Sequence, residues 1–134
     1  MIPERIATDS APAAIGAYSQ GIRAGGFVFT SGQLGMGADG AFVSDDVAEQ
    51  TRAALANVSA VLEAGGSSLV RVVKVTVFLR DMADFAAMNA VYQDVFTAAH
   101  GTDDAVFPAR AAVQAAELPK SGLVEIEAIG LVAD

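Results

Sequence analysis

The 134-residue chain has no cysteine, which excludes disulfides, thiolate nucleophiles and Cys-based zinc or iron–sulfur sites. It also has no tryptophan and only two tyrosines and seven phenylalanines, although 53% of its residues are hydrophobic. The core must therefore be built mainly from Ala, Val, Leu and Ile. With one histidine, any transition-metal site would depend on carboxylates, and neither H-E-x-x-H nor a comparable spacing occurs. Positive charge is scarce too: eight Lys and Arg stand against sixteen Asp and Glu, a net charge of −8. Such a balance repels a phosphate backbone unless the cations gather in one place. Here they are scattered, which argues against nucleic acid and against an anionic membrane surface.

No apolar run approaches the ~18 residues needed to cross a bilayer. The start, Met1-Ile2-Pro3-Glu4-Arg5, lacks a basic region followed by a long apolar stretch, so a cytoplasmic protein is expected. No Pro, Gly or Ser-rich linker and no internal repeat interrupts the chain, and its length suits one domain over 1–134.

The patterning predicts two helices. The first follows Ser44 as N-cap, has Asp45 and Asp46 in its first turn, and runs to about Ala64 before Gly65-Gly66. Val47, Thr51, Ala54, Leu55, Val58, Val61 and Leu62 form its apolar stripe, with Arg52, Asn57 and Glu63 off it. The second, from about Asp84 to Ala99, carries Phe85, Met88, Tyr92, Val95, Phe96 and Ala99 on one face. Between them Arg71 to Leu79 alternates as a strand, with Val73, Val75, Val77 and Leu79 on the apolar side.

Further strands are predicted at Ile22 to Ala24 and Phe27 to Ser31, joined at Gly25-Gly26, and at Ala109 to Ala116 and Leu123 to Leu131. The order β-β-α-β-α-β-β describes an α+β sandwich with two helices packed on one face of a mixed sheet. The other face is left presenting Val72, Phe78, Val124 and Ile126, and an apolar patch of that size implies a homo-oligomer.

Several motifs can carry chemistry. Gly35-Met36-Gly37-Ala38-Asp39-Gly40 matches G-x-G-x-x-G, but no helix starts within it, so Asp39-Gly40 reads as a turn and not as a dinucleotide site. Ser31 lies at a strand end without the G-x-S-x-G setting of a nucleophile, and His100 falls where an imidazole caps helix carbonyls. Arg110, among small neighbours in Phe107-Pro108-Ala109-Arg110, suits bidentate capture of a carboxylate or serves as an ordinary surface arginine. Glu125 and Glu127 share one face of the last strand, where they orient a water or are merely solvated. A hairpin centred on Pro119-Lys120 pairs Arg110 near Ile129 and Glu125 near Gln114. The two groups are then about 13 Å apart along the strand, and one site containing both needs another register or two subunits.

Read together, Ala11-Pro12-Ala13-Ala14-Ile15-Gly16-Ala17-Tyr18-Ser19-Gln20, Thr30-Ser31-Gly32-Gln33, Glu49-Gln50-Thr51, Asn57-Val58, Asp84-Phe85 with Asn89 and Tyr92, Phe107 to Arg110, Leu118-Pro119 and Glu125 to Ile129 resemble the Rid (YjgF-type) family from about Ile6 onward. The resemblance implies a chorismate-mutase-like fold, a homotrimer with sites between subunits, and 2-iminobutanoate/2-iminopropanoate deaminase activity without a cofactor or metal. It also implies that Arg110 holds the substrate carboxylate, that Glu125 orients water, and that Tyr18, Ser31, Gly32 and Asn89 line the pocket. Ala17 replaces a common proline, which loosens the Tyr18 loop, and Ala112 replaces a common cysteine or serine, which removes a polar group from the pocket wall and bears on substrate choice. Two other readings are a module that binds small carboxylic acids without turnover and the ribonuclease activity attributed to some relatives.

Overall fold

The computed structural model describes residues 2–134. Its strands are β1 (Glu4–Ile6), β2 (Gly21–Ala24), β3 (Phe27–Thr30), β4 (Gln33–Leu34), β5 (Val72–Leu79), β6 (Ala109–Gln114) and β7 (Val124–Leu131), and its helices are α1 (Val47–Ala64) and α2 (Phe85–His100). They form one sheet in the order β1-β2-β3-β7-β5-β6, with β4 also on β7. The sheet is mixed because β5 and β6 run parallel, joined through α2, while the other pairs are antiparallel. The predicted α+β class stands. The short strands β1 and β4 lacked enough residues to show alternation.

Along α1 the predicted apolar stripe is buried throughout. Its N-cap is Asp46 rather than Ser44: the Asp46 carboxylate accepts from Glu49 N at 2.9 Å, while Ser44 Oγ accepts from Asp46 N one turn earlier at 3.1 Å. Asn57 also departs from its predicted off-stripe position, being 4% exposed for a reason that belongs to the site below. In α2 the end of the predicted face shifts, so that Val91 is buried and Ala99 exposed. His100 Nδ1 lies 2.8 Å from Phe96 O, as expected of a helix-end imidazole.

The strand faces needed two corrections. A bulge between Val72 and Lys74 changes the phase of β5, so Val72 is buried and Val73 exposed, while Val75, Val77 and Leu79 keep the core face. In β7 it is Val124, Ile126 and Ala128 that point to the core, leaving Glu125, Glu127 and Ile129 half-buried on the face away from it. The core thus lies between the helices and one side of the sheet. The opposite side carries Phe27 and Phe29, 42% and 41% exposed, with Leu131 and Val113. Phe78, predicted for that side, is half-buried there beside Glu125.

The predicted β6–β7 hairpin does not form. β5 lies between the two strands, pairing Arg110 with Val75 and Glu125 with Phe78. Both strands gain β5 as a long partner this way, and the 3-10 turn Pro119–Ser121 carries the chain across. No helix among the described residues is long and apolar enough to cross a membrane.

Candidate active site

Arg110 enters the helix side of the sheet, because its neighbours in the same row, Val75 and Ala128, are core residues. There α2 meets it. Arg110 Nη1 donates to Asn89 Oδ1 at 2.7 Å, and Cζ lies 4.7 Å from the ring centre of Tyr92 and 5.5 Å from that of Phe85. Asn89, Tyr92, Gln93, Phe107, Pro108 and Arg110 line a cleft of about 440 Å³. The one ion pair among the described residues, Arg52–Asp94 at 4.0 Å, lies elsewhere. A half-buried guanidinium thus stands in a cleft with no carboxylate of the described residues paired to it. Tyr92 remains a neutral phenol, its pKa pushed up to about 12 by burial against the opposing pull of Arg110.

The second cleft, about 640 Å³, lies at Glu125 and is lined by Tyr18, Ser31, Gly32, Leu34 and Lys120 among others. Its shape starts from the break between β3 and β4. Ser31 and Gly32 leave the ladder, Thr30 Oγ1 takes over as acceptor for Ala128 N at 3.1 Å, and the gap receives the Glu125 side chain. A Cβ on Gly32 would lie 2.8 Å from Glu125 Cδ, so only glycine leaves the carboxylate this place. Burial raises the Glu125 pKa, and repulsion from Glu127 on the same face raises it further. Ser31 Oγ donates to Ser19 O at 2.5 Å, which ties it to the Tyr18 segment and gives it no base to act as a nucleophile.

Three buried amides tie this cleft to the fold. Gln20 Nε2 donates to Thr8, Ala11 and Pro12 carbonyls at 3.0, 3.3 and 2.8 Å, and its Oε1 accepts from Thr8 N at 2.7 Å. Asn57 Nδ2 donates to Leu34 O and Met36 O at 3.3 and 2.7 Å, holding the chain after β4 to α1. Gln50 joins Ser44 O at 2.8 Å to Leu123 N at 3.0 Å. These roles were missed in the sequence; of the three only Gln50 falls among the apolar positions of α1, where an amide marks a buried tether. The 35–40 segment is a turn, as expected: Gly40 N donates to Gly37 O at 2.9 Å and Met36 bridges Phe42.

The six predicted site residues therefore divide. Arg110 and Asn89 occupy one cleft, while Tyr18, Ser31, Gly32 and Glu125 occupy the other. The clefts open on opposite faces of the sheet, and within one chain the two charged groups do not meet.

A family model described as endoribonuclease L-PSP matches residues 8–132. The chain belongs to this family, the Rid family. Among the relatives of this Rid-family chain, the 2-iminobutanoate/2-iminopropanoate deaminase of Salmonella typhimurium is 47% identical over 126 residues, covering 94% of this chain and 95% of that protein. The solved YjgF gene product of Escherichia coli is 46% identical with a TM-score of 0.89, over 96% of this chain and 98% of that one. A second Escherichia coli structure, TdcF with bound serine, is 42% identical with a TM-score of 0.90, over 97% and 99% of the two chains.

Proposed function

We propose that the protein hydrolyses reactive 2-imino acids and their enamine tautomers to 2-oxo acids and ammonia. The observation that carries the reading is Arg110: a half-buried guanidinium, bound on one nitrogen by Asn89, in a cleft without a counter-charge among the described residues. Such a group has donors to spare for a planar carboxylate. Relatives 47% identical over nearly their whole length are named 2-iminobutanoate/2-iminopropanoate deaminases, which supports a 2-imino acid as the bearer of that carboxylate.

Glu125 supplies the second function. Burial, and then Glu127, raise the Glu125 pKa, which makes its carboxylate a better base than an exposed one. In this mechanism it accepts a hydrogen bond from water, takes a proton as the water oxygen adds to C2 of the protonated imine, and returns a proton to the nitrogen. As the C–N bond breaks, the hydroxyl gives its proton to the Glu125 carboxylate, leaving the 2-oxo acid and ammonia. Arg110 holds C2 in place through the adjacent carboxylate, and Tyr18, Ser31, Gly32 and Asn89 complete the pocket. No nucleophile on the protein is required.

Because Arg110 and Glu125 face opposite ways, we assign the working site to the meeting of one subunit's Arg110 cleft with a neighbour's Glu125 cleft in a homotrimer. The uncovered sheet face, with Phe27, Phe29, Val113 and Leu131, supplies apolar surface for such an assembly. The net charge of −8 weighs against RNA as substrate.

The test generates 2-iminobutanoate in situ with an amino-acid oxidase and traps surviving imine with semicarbazide. Wild-type protein is expected to lower the trapped imine and Arg110→Ala to leave it unchanged. Equal trapping in all samples, with binding of 2-oxobutanoate retained, would replace the deaminase with a module that binds small carboxylic acids.

A further inference from the structure

α2 meets Arg110 with a single stripe of side chains. Phe85, Asn89 and Tyr92 stand at i, i+4 and i+7, which brings them to one face of the helix. All three reach the guanidinium, Asn89 through the 2.7 Å hydrogen bond to Nη1 and the two rings at 4.7 and 5.5 Å from Cζ. One hydrogen bond anchors a nitrogen but leaves the guanidinium plane free to swing about it. A ring against Cζ limits that swing, and the ring of Tyr92 is itself fixed: it is 3% exposed and packs on Phe96 with centroids 4.7 Å apart.

The hydroxyl of Tyr92 is buried with no hydrogen-bond partner among the described residues. It therefore neither orients Arg110 nor competes for its donors. What Tyr92 presents to the cation is the negative face of its ring.

We infer that Tyr92, assisted by Phe85, is a positioning residue that sets the plane of the Arg110 guanidinium and so the angle at which the substrate carboxylate is gripped. The inference deepens the functional reading and rests on Arg110 as the carboxylate-binding group. A bidentate carboxylate bond needs the two planes aligned, so a guanidinium held in plane binds without first being ordered. The carboxylate is the same in substrate and transition state, so loss of the ring acts on KM more than on kcat.

The experiment compares wild type, Tyr92→Phe, Tyr92→Leu and Phe85→Leu as full-length proteins in three measurements: kcat and KM by the imine-trapping assay, Kd for 2-oxobutanoate by calorimetry, and the ring-current displacement of the Arg110 side-chain NMR signals. Tyr92→Leu is expected to raise KM and Kd about 5- to 30-fold, with kcat within about 3-fold, and to abolish the ring-current displacement from Tyr92. Phe85→Leu should do the same more weakly, and Tyr92→Phe should match wild type in all three. A folded Tyr92→Leu protein with wild-type KM and Kd overturns the inference. So does a Tyr92→Phe protein as impaired as Tyr92→Leu, since the hydroxyl would then be the active group. If Tyr92→Leu does not fold, Phe85→Leu decides, and unchanged KM and Kd there overturn the inference. Should wild type turn over no imine while Kd and the NMR signals respond as stated, the deaminase reading falls and the positioning role stands.

Discussion

The two clefts secure opposite charges by opposite means. Arg110 is held by regular structure, with strand β6 beneath it and one stripe of α2 above, through one hydrogen bond and two ring contacts. Glu125 sits on an equally regular strand, but its surroundings are loops: the Ser31-Gly32 break, the 11–20 segment and the Pro119–Ser121 turn. Those loops are tied back by the buried amides of Gln20, Asn57 and Gln50. The difference follows from the groups themselves. A guanidinium keeps its charge in any setting, so only its geometry needs control. The proton affinity of a carboxylate depends on how much water reaches it and on neighbouring charges, so the loops that enclose Glu125 also set its chemistry.

The comparison breaks most severely at the fixed charge. On the proposed function Arg110→Ala removes the carboxylate grip, and a charge-assisted bond of about 3 kcal/mol corresponds to a loss of about 100-fold in kcat/KM, measured by imine trapping. Gly32→Ala attacks the other cleft without touching either charge. Its Cβ meets the far end of a flexible side chain, so the fold tolerates it while the carboxylate is displaced. A fall of about 10- to 100-fold in kcat with a nearly unchanged melting temperature is expected.

The amide tethers come next. Asn57→Ala leaves the Met36 carbonyl without its Asn57 donor, while Leu34 O keeps Met36 N, and a loss of about 1–3 kcal/mol in denaturant unfolding is expected. The effect of Glu127→Gln is smaller and concerns pH. Because Glu127 raises the Glu125 pKa, its neutralisation lowers that pKa, and the acid limb of the kcat profile moves to lower pH. The sign for stability is the reverse of a salt-bridged acid. A carboxyl whose folded pKa is raised stabilises fully below its unfolded pKa, and that contribution is lost as pH rises through the folded value. Glu125→Gln is therefore expected to be inactive yet to melt slightly higher than wild type at neutral pH. Smallest of all is Arg52→Ala, whose exposed 4.0 Å pair with Asp94 should shift neither activity nor melting temperature measurably.

Much of the fold was legible because its signals are local. The stripe Val47 to Leu62, the stop at Gly65-Gly66 and the alternation of Val75, Val77 and Leu79 all repeat at the period of their element. The errors arose where a local signal met a distant one. A bulge in β5 reversed Val72 and Val73, and Asp46 capped α1 because Ser44 was already engaged in the turn before it. Asn57 was read as polar and outward, since nothing adjacent in sequence shows that the chain after β4 will need a donor there. Of the site, the residue types were visible in Arg110 and in the paired glutamates. Phe85 and Tyr92 were read as core and as part of the family pattern but not as neighbours of Arg110, because that contact depends on α2 packing beside β6.

The sequence by itself determined the two helices, the principal strands, the absence of thiol chemistry and the presence of a cation and paired carboxylates on strands. Tertiary structure alone decided which way those two groups face. Side chains alternate along a strand, so their sidedness is set by which strands pair and in what register. Once β5 lies between β6 and β7, Arg110 falls in the row of Val75 and Ala128 and points to the helices, and Glu125 falls beside Phe78 and points away from them.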